Sequence, residues 1–435
     1  MTATPDFATT RTHIAGIAIA ELAARFGTPL YVYDAATIRA RLADLRRFDV
    51  VRYAQKACSN LAVLALLRRA GASVDAVSAG EIHRASLAGY PFEGDPPPVV
   101  YTADIFDADS LRLCVERGVH VNCGSADMIG QLGTAAPGRE ITLRINPGFG
   151  HGHSQKTNTG GPQSKHGIWH EQIPECLTRA ASYDLRVVGV HVHIGSGSDL
   201  EHLAQVCGAL EIAASQVGPS VRAVSVGGGL PIPYREGESY VDLEAYWRLC
   251  DAARRRLAER FGHDVRLEIE PGRYLVAESG WLVAEIRAVK RQAHNTFYLL
   301  DAGFNNLARP ILYGAYHPMS IVPRTTGGAL RESELIDVVV GGPLCESGDI
   351  FTQNEGGFVA PRRLPRAAVG DLLVIERAGA YGFVMGSNYN SKPLAAEVLV
   401  DEGQAYLVRQ RQTPEDLVRG ETIPEHLAAE PNASA

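Results

Sequence analysis

Short β-prone runs alternate with stretches of helical periodicity through the first part of this chain. The runs begin near Val50, Ser73, Pro98, His120, Glu140, Leu185, Val221 and Val265. Between most of them apolar positions recur with the helical period, as at 61–70, 81–88, 110–117, 200–216 and 242–261. Eight strands interleaved with helices is the count for a (β/α)8 barrel, and a doubly wound open sheet is the alternative that alternation leaves open. The segment 149–166, rich in Gly, His, Asn and Ser, separates the fifth and sixth runs and has a composition suited to a lid. Beyond Arg273 the helical pattern fades. The segments 281–291, 296–301, 335–340, 371–376, 394–400 and 404–411 are β-like, with Gly, Pro and Asn between them. The expected architecture is α/β plus β: a TIM-like barrel over 27–279 and a separate C-terminal β-sandwich or β-barrel domain. Residues 1–26 and 280–420 form that second domain and complete the active site, and 421–435 form a disordered tail.

Composition narrows the class. At 435 residues, 46% hydrophobic and 21% charged, the chain has the makeup of a globular protein with room for two cores. A net charge of −7 without basic clusters argues against nucleic acid or a membrane surface as partner. No apolar run approaches the roughly 18 residues that span a bilayer, and residues 1–12 lack a signal-peptide core. The seven cysteines are scattered, without metal-type spacing, which fits a reducing cytoplasm and gives a metal requirement no support.

If the strands close into a barrel, the residues at their C-terminal ends share one mouth. The first run, Val50 onward, ends in Lys56, and Asn60 is placed to cap the next helix. The second ends near Asp75 and the fifth near Arg144. The sixth carries His191 and His193 before Gly195-Ser196-Gly197, the seventh Gly227-Gly228-Gly229, and the eighth Glu268, Glu270 and Arg273. A lysine amine can attack an aldehyde. Glycine turns expose backbone N–H groups to phosphate oxygens. A carboxylate can keep a pyridine nitrogen protonated, so that the ring accepts electrons. Each residue also has a plainer reading: Lys56 as a solvated strand end, the triple glycine as a tight turn, Glu270 as a partner of Arg144, His193 as a core histidine. Their convergence on one mouth points instead to pyridoxal 5'-phosphate. Two further clusters lie in the second domain. Gly and Pro around Cys345-Glu346 describe a rigid exposed loop whose thiol could supply a proton, and Tyr381 sits in a Gly-rich turn.

Over about residues 13–412 the chain resembles the diaminopimelate decarboxylases, of the alanine-racemase-like fold type III class of pyridoxal enzymes. The resemblance is carried by Tyr53-Ala54-Gln55-Lys56-Ala57, His191-Val192-His193-Ile194-Gly195-Ser196, Glu270-Pro271-Gly272-Arg273, Cys345-Glu346-Ser347-Gly348-Asp349 and Ala380-Tyr381-Gly382. The run from Gly148 through His151-Gly152-His153 to Gly161 resembles one bacterial branch of that family. The resemblance implies a carboxy-lyase that converts meso-2,6-diaminopimelate to L-lysine and CO2, the last step of lysine biosynthesis. It implies that Lys56 holds the cofactor covalently, that His193 stacks on its ring and that Glu270 pairs with its pyridine nitrogen. Ser196, Gly227, Gly228, Gly229, Pro271 and Gly272 would bind the phosphate, with Arg273 and Tyr381 also reaching the cofactor. Arg273, Arg309, Tyr313, Glu346 and Tyr381 match substrate-binding positions, and Cys345 matches the proton donor. It also implies a head-to-tail homodimer with active sites at the subunit interface, where Cys345 and Glu346 reach the partner's site. One departure is visible: Asn306 stands where the family usually has an acid, which puts a local charge near Arg309 in doubt. Other decarboxylases on this scaffold and a non-catalytic pyridoxal-fold regulator are the competing readings. The Cys345-Glu346-Ser347 form argues against the first, because the polyamine enzymes typically carry Asp after that cysteine. Retention of Lys56, His193, Glu270, Cys345 and Tyr381 argues against the second.

Overall fold

A computed structural model of the chain describes residues 7–150, 158–196, 199–322 and 334–428. The alternating runs become eight parallel strands: Val50–Ala54, Ser73–Ala76, Val99–Ala103, His120–Cys123, Glu140–Asn146, Arg186–Val192, Ala223–Ser225 and Arg266–Ile269. Each pairs with the next in chain order, the fifth with the sixth across the long loop, and the eighth returns to the first through Glu268↔Val50 and Ile269↔Val51. That last pairing closes a TIM-like barrel and removes the open-sheet alternative. A short strand, Ile168–Trp169, adds to the upper end of the fifth.

The helices begin where the chain leaves the barrel mouth because a capping side chain waits there. Asn60 Oδ1 accepts from Ala62 N (2.9 Å), Ser78 Oγ from Glu81 N (3.2 Å), and Asp107, Ser125, Asp199 and Asp242 cap the later helices in the same way. No helix among the described residues is long and apolar enough to cross a membrane.

After Arg273 the chain builds a mixed sheet, nine-stranded among the described residues. Its long central strand, Gly280–Gln292, pairs antiparallel with Asn295–Leu300, Leu372–Ile375 and Leu30–Asp34. The strand Leu30–Asp34 thus joins this second sheet, where it also runs parallel to Ala396–Asp401. The domain boundary expected at residue 27 falls instead after Asp34, because four of that strand's five residues are buried in this sheet. Two strands in it, Met319–Val322 and Arg362–Pro365, carry no clear alternation and escape sequence reading. Residues 429–435 of the expected tail lie outside the described residues, and Glu425–Leu427 form a short 3-10 turn.

The lower barrel interior is charged. Arg52, 1% exposed, donates to Glu268 Oε2 at 2.8 Å and to the Pro97 carbonyl at 2.6 Å. Glu268 also accepts from Arg266 at 3.2 Å. This corrects its expected place at the mouth: Glu268 points into the barrel below the cavity. Burial alone would raise its pKa, but Arg52 and Arg266 more than offset that and hold it below the usual carboxylate value. Such a depressed group contributes stability above its unfolded pKa of about 4.3, and that contribution fades as pH falls through the folded value. Glu268→Gln strands the Arg52 charge and should cost about 3–5 kcal/mol of stability at neutral pH, read as a lower urea midpoint. The gap between variant and wild type should narrow in acid; a gap that widens there would show that the pair does not act through charge.

Candidate active site

The C-terminal strand ends open into a cavity of about 510 Å³, walled on the far side by Arg309, Tyr313, Tyr316, Tyr381 and Met385 of the second domain. Lys56 enters it from a single 3-10 turn, Gln55–Ala57, directly after the first strand. Both neighbours are pinned: Gln55 Nε2 donates to the Glu81 carbonyl (3.2 Å), and the Ala57 carbonyl accepts from Tyr381 N (2.7 Å). Tyr381 itself adopts φ = 56°, in the left-handed region that costs a non-glycine residue energy. Close packing around its turn holds it there, since a Cβ at Gly379 would meet the Val276 carbonyl at 1.9 Å.

Across the floor, Glu270 is held by one side-chain hydrogen bond and flanked by a histidine ring. Ser225 Oγ donates to its Oε1 at 2.8 Å, and His191 Nε2 lies 3.3 Å from its Oε2. Asn122 Nδ2 lies 2.9 Å from His191 Nδ1, so that nitrogen accepts and the ring proton sits on Nε2, which is near the carboxylate but has no hydrogen-bond partner among the described residues. Burial pulls the His191 pKa down to about 4, which keeps the ring neutral. Arg144 lines the cavity but does not bond Glu270, so the Arg144–Glu270 pairing is not formed. Asp75, buried at the end of the second strand, has its pKa raised by burial and by the nearby Glu270 charge. Its Oδ1 has no hydrogen-bond partner among the described residues. His193 is likewise held neutral by burial, and by the positive charges of Arg144 and Lys56.

The glycine turn after the seventh strand packs against two other strand ends. An added Cβ would meet the Val192 carbonyl and His193 Cβ at 2.7 Å from Gly227, the Glu270 carbonyl at 2.5 Å from Gly228, and the Gly195 carbonyl at 2.4 Å from Gly229. Gly227 and Gly229 also have φ of 66° and 99°, open to glycine and strained for other residues. The three turns after strands six, seven and eight can therefore close into one concave backbone surface beside Ser196. A glycine-lined cradle, a lysine and a seated carboxylate are the parts a pyridoxal phosphate requires, and the residues fit it.

The other side of the cavity holds two buried guanidinium groups, Arg273 and Arg309, 8% and 7% exposed. Neither meets a carboxylate within ion-pairing distance among the described residues. They share the Tyr234 hydroxyl oxygen, at 3.1 and 3.3 Å, and Arg273 Nε has no partner there. Buried guanidinium groups without counter-charge mark a place for an anionic ligand.

Of the residues singled out in the sequence, Lys56, His193, Ser196, Gly228, Gly229, Glu270, Gly272, Arg273, Arg309, Tyr313 and Tyr381 line this one cavity. Gly227 and Pro271 support it from behind: the Gly227 carbonyl accepts from Glu270 N (2.8 Å) and the Pro271 carbonyl from Ala54 N (3.2 Å). Cys345 and Glu346 do not line it. Their loop is braced by Asp349, which accepts from Leu344 N (2.8 Å) and Phe304 N (2.7 Å), and Cys345 is exposed. Asn306 Oδ1 accepts from Gly303 N (3.3 Å), so the departure at this position braces a turn. Gly197 and residues 151–157 of the expected lid lie outside the described residues. The adjoining Thr159 lines the cavity and its N donates to the Ile194 carbonyl (3.2 Å). Sequence reading missed Tyr234 and His317, for which no motif or periodicity gives a signal.

The family model for the pyridoxal binding domain of pyridoxal-dependent decarboxylases matches residues 36–277. The diaminopimelate decarboxylase of Streptomyces coelicolor is 54% identical over 409 residues, covering 94% of this chain and 92% of its own. A crystal structure of diaminopimelate decarboxylase, 52% identical, superposes with a TM-score of 0.89 over 92% of this chain and 94% of its own. The diaminopimelate decarboxylase from Helicobacter pylori complexed with L-lysine, 31% identical, gives a TM-score of 0.81 over 92% of this chain and 98% of its own.

Proposed function

The chain belongs to the diaminopimelate decarboxylases, a branch of the pyridoxal-dependent decarboxylases, and we propose that the cavity around Lys56 is where it carries out their reaction. It is a carboxy-lyase, and the reaction releases CO2 from meso-2,6-diaminopimelate to leave L-lysine, the last step of lysine biosynthesis. The observation that carries the site reading is the cavity with two different ends: Lys56, Glu270 and the glycine cradle at one, and the uncompensated Arg273 and Arg309 at the other. The distal end of the substrate is an amino-acid zwitterion, whose carboxylate suits a pair of guanidinium groups.

Pyridoxal 5'-phosphate, when bound, supplies the electron sink that makes loss of CO2 possible. Lys56 would hold it and be displaced by the substrate amine. Ser196 with Gly227, Gly228, Gly229, Pro271 and Gly272 would carry its phosphate, and His193 would cover its ring. Glu270, held by Ser225 with His191 beside it, would accept a hydrogen bond from the pyridine nitrogen and keep that nitrogen protonated. Arg273 and Arg309 fix the distal carboxylate, with Tyr313 and Tyr381 beside them. We assign the distal ammonium to Glu346 and the final proton to Cys345, both from the partner subunit of a homodimer. Their exposure on a braced loop outside their own cavity supports that assignment. The cytoplasm is the proposed setting, on the seven thiols that the chain keeps unbonded.

CO2 release measured from meso-diaminopimelate beside L-lysine, D-lysine and L-ornithine tests the reading. Turnover of the first alone is expected, and preference for any of the others would overturn it. Arg309→Ala removes charge-assisted hydrogen bonds of about 1.5–3 kcal/mol, so KM for diaminopimelate should rise roughly 10–10²-fold. An unchanged KM would remove Arg309 from the carboxylate site.

A further inference from the structure

We propose that Tyr234 is a positioning residue for substrate selection: its phenol oxygen, shared by Arg273 and Arg309, holds the two guanidinium groups as one fork for the substrate's distal carboxylate. This rests on the function proposed above and deepens it.

The two arginines arrive from different domains. Arg273 starts the turn after the eighth barrel strand, and Arg309 starts the short helix Arg309–Tyr313. Two like charges buried in one cavity repel, and without a common acceptor they would separate toward water. Tyr234 Oη accepts from both, at 3.1 Å from Arg273 Nη1 and 3.3 Å from Arg309 Nη1. The Arg309 guanidinium also lies over the Tyr234 ring, 5.1 Å from its centroid, and Arg273 lies 5.9 Å from the same centroid.

Tyr234 is itself held. Its backbone N donates to Glu238 Oε2 at 2.7 Å, and its ring packs edge-on against His317 with centroids 5.5 Å apart. His317 Nδ1 donates to the Glu376 carbonyl (2.9 Å), which leaves Nε2 as an acceptor for Arg309 Nη1 at 2.8 Å. Burial and the Arg309 charge keep that imidazole neutral. Arg309 is thus fixed by two neutral acceptors and Arg273 by one of the same pair. Burial would raise the Tyr234 pKa, but Arg309 and Arg273 lower it overall, as expected for an oxygen that accepts hydrogen bonds from two cations. A neutral acceptor of this kind orients the fork without cancelling its charge, so the carboxylate of the substrate still finds two unneutralised guanidinium groups.

The test uses the holoenzyme of Tyr234→Phe, which keeps the ring and removes only the acceptor. KM for meso-diaminopimelate is expected to rise about tenfold with kcat within about threefold of wild type, because both arginines keep their charge and lose only the acceptor that aligns them. Calorimetric affinity for the product L-lysine, which keeps the distal carboxylate, should fall by a similar factor. Affinity for 1,5-diaminopentane, which has no carboxylate, should not change. An unchanged L-lysine affinity in Tyr234→Phe, with a loss in Arg309→Ala, overturns the inference and leaves the site reading standing. No loss in either variant overturns both. Equal weakening of L-lysine and 1,5-diaminopentane, or loss of the visible cofactor absorbance in Tyr234→Phe, overturns the inference too, because the effect would then be on general packing or on the cofactor.

Discussion

Lys56→Ala should give a folded protein with no measurable decarboxylation and without the visible absorbance of a lysine-held pyridoxal cofactor. The fold is expected to survive because the Lys56 side chain is exposed to the cavity and forms no ion pair among the described residues. What positions it lies in the backbone: Gln55 is anchored to the carbonyl of Glu81, and Ala57 to Tyr381 N. Those contacts do not involve the lysine side chain. The loss should exceed the roughly 10²–10⁴-fold that a positioned proton-transfer group contributes, because the variant loses the covalent attachment as well as an amine. An unaltered absorbance spectrum in Lys56→Ala would refute the assignment outright.

The second large effect is expected at a residue that does not line this cavity in its own subunit. Cys345→Ala should keep the cofactor spectrum and lose roughly 10²–10⁴-fold in turnover, the scale of a general acid. Its thiol is the exposed one among seven cysteines, and its backbone N is held by Asn390 Oδ1 at 2.7 Å. In the proposed homodimer this exposed loop would carry the thiol into the partner's cavity. On that proposal, mixing Lys56→Ala and Cys345→Ala subunits should restore activity, since a mixed dimer would have one cavity with Lys56 facing an intact Cys345. A near-wild-type rate for Cys345→Ala assigns the proton to another group. A low rate that mixing fails to restore would place the thiol's role within one subunit.

Much of the site was legible because its residues follow strand ends. A barrel brings its C-terminal ends together whatever the side chains, so Lys56, Glu270 and the glycines after the seventh strand could be gathered from order alone. Glu268 shows where that reasoning stops. It and Glu270 lie two residues apart, so the period of a strand gives both the same face. They are separated by depth along the strand, about 6.6 Å at ~3.3 Å per residue. That step decides whether a carboxylate meets Arg52 in the barrel floor or Ser225 and His191 at the mouth.

By itself the sequence determined the strand and helix order, the Asn60 cap, the residues at the strand ends and the family motifs, because each is a local pattern of a few neighbouring side chains. Only the tertiary structure decided the boundary after Asp34, the seating of Glu270 between Ser225 and His191, the outward Cys345 and the fork of Arg273 and Arg309 on Tyr234. The fork joins residues 39 and 75 positions apart in the chain. No periodicity relates such positions. Their meeting follows from how the second domain docks on the barrel mouth, and its chemistry from charges that are left without carboxylate partners only once both domains are in place.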